Sequence, residues 1–163
     1  MRKFIVLCLP LMLAGCGSVS GSGGPFVDQK VIRDKTVFVA RIADPISTDE
    51  EIILGSGNAA SAAVAESLRE HGVRVTRFPN DDNSGYTLTT AITHWEHHAT
   101  EWNFVPDVVA MSMRLVDDKS GAIVAVANSK VVGSSIQFFP QEVDRLLPDA
   151  VEDSVTRLYG PRP

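Results

Sequence analysis

The sequence predicts an α+β domain: a mostly antiparallel four- to five-stranded sheet with two helices packed on one face. Three observations indicate this fold. Segments that are β-branched or apolar at period two recur along the chain, two other segments carry apolar residues at helical spacing, and a short Asp-Lys-Ser-Gly turn joins two predicted strands. The resulting order, β-α-β-β-β-β-α, is typical of a two-layer domain.

The first half of the domain is predicted to contain a strand, a helix and a second strand. Residues 36–43 carry apolar side chains on both faces, which indicates a central, buried strand. Residues 58–71 repeat apolar residues at roughly the helical period, and Gly72 is typical of the position after a helix, so we predict a helix there. Residues 73–78 are predicted to form the next strand.

The longest predicted strand covers residues 86–101, because this segment is rich in threonine. Successive side chains of a strand point to opposite faces. Leu88 and Ile92 are therefore expected on one face, and Ala91 and Trp95 on the other.

A hairpin and a final helix complete the predicted domain. Residues 108–116 alternate at period two, and an Asp-Lys-Ser-Gly turn leads from them directly into residues 122–132. Residues 148–159 are expected to form the last helix. Pro148 suits its first turn, where no backbone N–H is needed.

The first sixteen residues have the pattern of a bacterial lipoprotein signal. Arg2 and Lys3 precede an apolar stretch over residues 4–14, which is shorter than the about 20 residues that span a bilayer. The tetrapeptide Leu13-Ala14-Gly15-Cys16 supplies small residues for a signal peptidase and a thiol for lipid. We therefore predict cleavage before Cys16 and fatty acylation, for example by palmitate, at this cysteine.

The predicted organisation has three parts. Residues 1–15 are the signal peptide, residues 16–34 are the lipidated cysteine and a flexible tether, and residues 35–160 are one α+β domain. The tether is expected because the residues after Cys16 are mostly Gly and Ser. Cys8 leaves with the signal peptide, so no thiol remains for a disulfide, a metal or a nucleophile.

The charge of the mature chain bears on its partners. Loss of the signal peptide removes Arg2 and Lys3 but no acidic residue, which changes the formal net charge from −5 to −7. An acidic surface disfavours nucleic acid. We expect the lipid bilayer, reached through acylated Cys16, as a partner, with an envelope protein or glycan as a further candidate. Gly17 in place of an Asp favours the periplasmic face of the outer membrane, if the host is Gram-negative.

The histidine-rich segment is the candidate for chemistry. His94, Glu96 and His98 would share one face of a strand, but the two histidines would then lie about 13 Å apart, too far to bind one ion. On a helix the two histidines would meet, yet the order differs from the His-Glu-x-x-His of metalloproteases. We therefore expect no metal and no cofactor, and we assign no catalytic residue.

Several segments resemble a bacterial lipoprotein family known as domain of unknown function 4823. The likeness is carried by Ile92-Thr93-His94-Trp95-Glu96, Ala99-Thr100-Glu101-Trp102, Pro106-Asp107, the Gly55-Ser56-Gly57 turn before an Ala-rich helix, and the ending Leu146-Leu147-Pro148. The resemblance implies lipoprotein status and the α+β layout, and it implies no known activity. It also implies that six residues are important as a group, either for function or for the stability of the fold: Trp95, Glu96, Thr100, Glu101, Trp102 and Asp107.

Three functional hypotheses follow from the sequence. The leading one is a membrane-anchored, non-enzymatic module that binds a partner or assists in the cell envelope. The alternative is a hydrolase or metal-binding protein that uses the region from His94 to Glu101. A third hypothesis gives the cluster a purely structural role, in which the two tryptophans seal the core.

Overall fold

A computed structural model describes residues 17–46, 52–79, 84–96, 105–133 and 143–163. In these residues it contains six strands and three helices. The strands are β1 (Ser18–Pro25), β2 (Thr36–Val39), β3 (Arg74–Thr76), β4 (Tyr86–Glu96), β5 (Val108–Asp117) and β6 (Ile123–Val132). The helices are α1 (Gln29–Arg33), α2 (Ser56–Glu70) and α3 (Val143–Tyr159).

The six strands form one mixed sheet in the order β1-β6-β5-β4-β2-β3. The pairs β1–β6, β5–β6 and β4–β5 are antiparallel, whereas β2 runs parallel to both β3 and β4. The parallel pair β2–β3 arises because α2 connects the two strands, and a helical crossover returns the chain in the same direction. The predicted α+β class is confirmed, but the sheet has more strands and more parallel pairing than predicted.

The helices lie together on one face of the sheet. α3 packs on β1, β5 and β6, and α2 packs on β2, β3 and α3. The short helix α1, which the sequence analysis did not predict, packs against α3. The predicted helix at residues 58–71 matches α2 closely. α3 begins five residues before Pro148, so the prediction that this proline lies in the first turn is wrong.

The hydrophobic core lies between the sheet and the helices. Alternate residues of β5 face the helices and are at most 1% exposed, which confirms the period-two prediction: Val109, Met111, Met113 and Leu115. Residues of β6 that pair with them, such as Ala125 and Ala127, are fully buried on the same face. The small side chains on β6 leave room for α3 to pack closely on the sheet.

A β-bulge in β4 changes which side chains face the core. The pairing with β5 runs regularly to Ile92 opposite Met111 and resumes at His94 opposite Ala110, so Thr93 is the extra residue. Beyond the bulge the alternation is reversed, and Trp95 faces the core opposite Val109. The prediction that Ile92 and Trp95 lie on opposite faces is therefore wrong, because period two holds only between bulges.

Part of the segment predicted to be a flexible tether is an ordered strand. Ser18–Pro25 form an edge strand that pairs with β6 along its whole length, from Ser18 opposite Val132 to Pro25 opposite Ala125. The strand forms because β6 offers a free edge and because small residues let α3 lie across it. A Cβ added to Gly21 would lie 2.5 Å from Nε of Arg157 on α3 and 2.5 Å from the carbonyl oxygen of Asn128 on β6.

The strand register defines two ends of the sheet. Four paired residues mark the end at which β1 begins, which we call the proximal end: Ser18, Val132, Val108 and Glu96. The opposite, distal end holds the end of β1 and the β5–β6 turn. α3 passes over Gly21 at Asp153 and over Gly24 at Arg157, so it runs from the proximal to the distal end, in the same direction as β1.

Candidate functional site

The described residues of the predicted cluster lie at the proximal end. Trp95 and Glu96 end β4, and Asp107 directly precedes β5. The structure therefore brings these three residues to the same end of two paired strands. Four of the predicted lipidation and cluster residues lie outside the described residues, and their predicted roles stay predictions: Cys16, Thr100, Glu101 and Trp102.

Trp95 contributes to the core. Its side chain is 3% exposed and lies opposite Val109, on the face that the helices cover. A buried tryptophan removes a large apolar area from water, which stabilises the fold. The position of Trp95 supports the structural reading for this member of the cluster.

Glu96 lies on the other, open face of the sheet, together with His94. The Nε2 atom of His94 and Oε2 of Glu96 are 3.0 Å apart, and both side chains are partly exposed. The predicted sharing of one face by these two residues is confirmed. Among the described residues no group of three His, Cys, Asp or Glu side chains is placed to hold a metal ion, and His98 lies outside them.

Asp107 ties two strand ends together. It is 6% exposed, and its backbone carbonyl accepts a hydrogen bond of 2.8 Å from the backbone N–H of Gly133, just beyond β6. This hydrogen bond holds the start of β5 next to the end of β6. Asp107 therefore has a clear local role in positioning the proximal end.

The open face of the sheet is a polar surface that the sequence analysis did not identify. Two adjoining shallow depressions, of about 420 and 410 Å³, are lined mainly by Ser, Thr and Asn side chains of β1, β4, β5 and β6, with Lys130 in one and Arg114 in the other. Ser112 and Arg114 on β5, and Asn128 and Lys130 on β6, are polar residues two positions apart, and this spacing was the sequence signal for the face. The residues that line the two depressions include no carboxylate and no imidazole.

A buried polar network joins the C-terminal half of α2 to α3. The imidazole of His71, just after α2, is fully buried, with Nδ1 2.8 Å from the carbonyl oxygen of Ser67. Its Nε2 lies 3.4 Å from Oγ1 of Thr156 and 3.7 Å from Oε1 of Glu152. Ser67 also donates a hydrogen bond of 2.9 Å to Glu152. The network orients α2 along α3. No local sequence pattern indicates it, because its members are far apart in sequence and meet only when the two helices pack.

Arg162 completes this network from the C-terminal tail. Its guanidinium donates hydrogen bonds of 2.9 and 2.7 Å to Glu152 and lies 2.9 Å from Glu70. The hydrogen bonds from Arg162, followed by those from Ser67 and the charge of His71, lower the pKa of Glu152 against the opposing effect of burial. The arrangement stabilises the packing of α2, α3 and the C-terminal tail.

Comparisons with known proteins show the fold. No protein-family model matches the sequence, and no curated protein matches it. Among solved structures, the PelC dodecamer from Paraburkholderia phytofirmans matches with a TM-score of 0.62 and 23% identity, over 87% of this chain and 98% of that one. A DUF330 protein from Xanthomonas campestris matches with a TM-score of 0.51 and 14% identity, over 72% of this chain and 77% of that one.

A further match has the same character. A DUF4136 protein from Bacteroides thetaiotaomicron has a TM-score of 0.50 and 13% identity, over 86% of this chain and 94% of that one. At these identities the likeness shows the fold alone, and this fold occurs in uncharacterised bacterial domain families. The resemblance to domain of unknown function 4823 is not confirmed. No helix within the described residues has the length and apolar character needed to cross a membrane.

Proposed function

We propose that this protein is a lipid-anchored, non-enzymatic module of the bacterial envelope, whose domain is held directly on the membrane by acylated Cys16. One observation carries the proposal: β1 begins at Ser18, only two residues after the cysteine, and is paired with β6 from its first residue. Because only one residue separates the cysteine from the paired strand, the segment between the lipid and the folded domain is short. The lipid anchor would therefore set the height and the orientation of the domain.

The non-enzymatic part of the proposal is supported by the chemistry of the open face. Its Ser and Thr hydroxyls have no carboxylate or imidazole beside them in the two depressions, whereas nucleophilic catalysis needs an adjacent base or a lowered pKa. Hydroxyl and amide groups with two flanking cations suit hydrogen bonding to a partner surface. A binding or accessory role in the envelope fits this chemistry better than turnover.

Self-assembly is a second property that the fold comparison favours. The structure that matches with a TM-score of 0.62 is described as a dodecamer, and the match covers 98% of that chain. We propose that several copies of this protein associate on the membrane. Native mass spectrometry of the acylated protein in detergent tests this property. A single monomeric species at micromolar concentration would contradict it.

The anchor is tested by metabolic labelling with a palmitate analogue, followed by membrane fractionation. The wild-type protein should carry the label and sediment with membranes. Cys16→Ser should lose the label and the mature processing, whereas the matched control Cys8→Ser, which changes only the predicted signal peptide, should keep both. Labelling that persists in Cys16→Ser, or an unlabelled wild-type protein, would contradict the proposed function.

The location within the envelope is tested by separating inner and outer membranes. In a Gram-negative host we propose the periplasmic face of the outer membrane. Replacement of Gly17 by Asp should move the protein toward the inner membrane, and a wild-type protein found there already would contradict this part of the proposal.

A further inference from the structure

Exposed apolar side chains gather at the proximal end of the domain. Val19 is the second residue of β1 and is 50% exposed, and Val105, three residues before β5, is 46% exposed. Leu54 is the most exposed large apolar side chain of the described residues, at 84%. Ile46 and Ile52, which form an isolated bridge close to it in sequence, are 64% and 61% exposed. We call these five residues the proximal apolar patch.

Leu54 belongs to the proximal end because of the direction of α2. Ser67 of α2 contacts Glu152 of α3, and His71, four residues later, contacts Thr156, four residues after Glu152. The two helices therefore run in the same direction, from the proximal to the distal end. α2 begins at Ser56, so Leu54 lies at the proximal end, about 22 Å before the last turn of this helix.

The lipid anchor enters at the same end. Gly17 lies next to the C-terminal end of β6, since a Cβ added to it would be 2.7 Å from the carbonyl oxygen of Val132. The Cα atom of any residue joined to Gly17 by a trans peptide is about 3.8 Å away. Acylated Cys16 would thus place the lipid headgroups next to the proximal apolar patch.

We propose that the proximal apolar patch docks on the bilayer, with Leu54 and its neighbours inserted among the lipid headgroups around the acylated cysteine. The inference rests on the proposed acylation of Cys16. Apolar side chains at a membrane interface reach about 5–10 Å into the boundary between headgroups and acyl chains. The patch supplies a second contact beside the anchor, and this contact holds the sheet upright on the membrane.

Position, and not exposure alone, distinguishes this patch. Phe26 and Ile123 are 68% and 46% exposed, but they lie at the distal end, where Pro25 pairs with Ala125. That end is the full length of β1 away from Ser18, where this strand begins. Phe26 therefore provides a matched control, since it is a large exposed apolar residue that the anchor holds away from the bilayer.

The proposed docking depends on apolar contacts and not on charge. Among the described residues, titratable side chains near the proximal end include His94 and Glu96, which pair with each other, Asp107, which is 6% exposed, and Lys130, which lies opposite Ser20. These side chains carry both acidic and basic groups. Docking should accordingly survive a rise in salt concentration, which screens exposed charges but strengthens apolar contacts.

The test uses a fluorophore at a single cysteine of the acylated full-length protein, reconstituted in vesicles of phosphatidylethanolamine and phosphatidylglycerol. Leu54→Cys and, independently, Val105→Cys carry an environment-sensitive dye, and Phe26→Cys carries the same dye as the control. We expect the two proximal dyes to shift to shorter emission wavelengths and to be quenched by lipids with a nitroxide on the acyl chain. The Phe26→Cys dye should show neither change.

Failure of docking and failure of the anchor give different results. Dyes at Leu54→Cys and Val105→Cys that behave like the one at Phe26→Cys, on protein that floats with the vesicles, would overturn docking and leave the anchor intact. A thiol of wild-type Cys16 that reacts under denaturing conditions would contradict acylation. Docking is then tested with both Cys8 and Cys16 replaced by Ser, so that the dye reacts with a single thiol at Leu54→Cys; quenching of this dye supports docking and its absence overturns docking.

Discussion

Gly21 of the edge strand lies directly beneath Arg157 of the last helix. A Cβ at this position would stand 2.5 Å from the guanidinium Nε and also 2.5 Å from Oδ2 of Asp153, with which Arg157 forms an ion pair of 2.8 Å. The hydrogen bonds that Arg157 donates to the carboxylate of Asp153 raise the pKa of Arg157. The absence of a side chain on Gly21 therefore allows the segment after Cys16 to pair with β6 beneath an intact ion pair.

Replacement of Gly21 by Val should destabilise the protein. The new side chain would displace both members of the ion pair and would also meet the backbone carbonyl of Asn128, so β1 would have to move away from β6. We expect a loss of about 1–3 kcal/mol in the free energy of unfolding, measured by urea titration. Ser22→Val, on the open face of the same strand, is the matched control and should have a smaller effect. Equal stability of the two variants would show that β1 is not held under α3.

Replacement of Tyr159 by Phe should leave stability unchanged or raise it by about 1 kcal/mol. Tyr159 is fully buried, and its hydroxyl has no hydrogen-bond partner among the described residues. Burial raises the pKa of this phenol, in keeping with an apolar environment. Thermal unfolding checks the expectation. A loss of more than about 1 kcal/mol would show that the hydroxyl has a partner in the folded protein.

Stability should fall in acid, and Glu152 should account for part of the fall. Because the folded state lowers the pKa of Glu152, its contribution is fully present above the unfolded pKa and is lost as pH falls through the folded one. Urea titrations between about pH 5 and pH 2 measure this contribution. Glu152→Gln should show a shallower decline than the wild-type protein.

A control for this pH effect is available on α2. Glu66 forms an exposed ion pair of 3.2 Å with Arg69, and such pairs contribute little. Glu66→Gln should therefore retain the wild-type decline in acid. Parallel declines of the wild type and Glu152→Gln would contradict the assignment to Glu152.

Replacement of Trp95 by Ala should lower the free energy of unfolding by about 3–5 kcal/mol, because a buried ring would leave a cavity opposite Val109. Trp95→Phe should lose less, since part of the volume is kept. Thr89→Ala, an exposed position on the same strand, should be nearly neutral. Near-neutral stability of Trp95→Ala with loss of membrane or self-association would instead assign this residue to a surface role.

Local patterns were sufficient for much of the fold. The helical spacing of apolar residues before Gly72 predicts α2, and the Asp-Lys-Ser-Gly turn predicts the β5–β6 hairpin, because both features depend on residues that are near each other in sequence. The predicted β5 core positions, such as Met111, follow from strand alternation alone. A lipoprotein signal is likewise a local pattern, so the prediction of acylation at Cys16 needs no tertiary structure.

Features that depend on contacts between distant segments appear only in the folded protein. Gly and Ser residues carry no hydrophobic period, so β1 appears only when β6, more than a hundred residues later, offers its edge and Gly21 admits α3. The bulge at Thr93 reverses the alternation and turns Trp95 inward, and His71 meets Glu152 only after two helices pack. The prediction of Cys16 as the lipid site rests on a local pattern and needs no folded structure. The pairing of β1 decided which end of the domain this site joins, because orientation is a property of the folded sheet and not of any one segment.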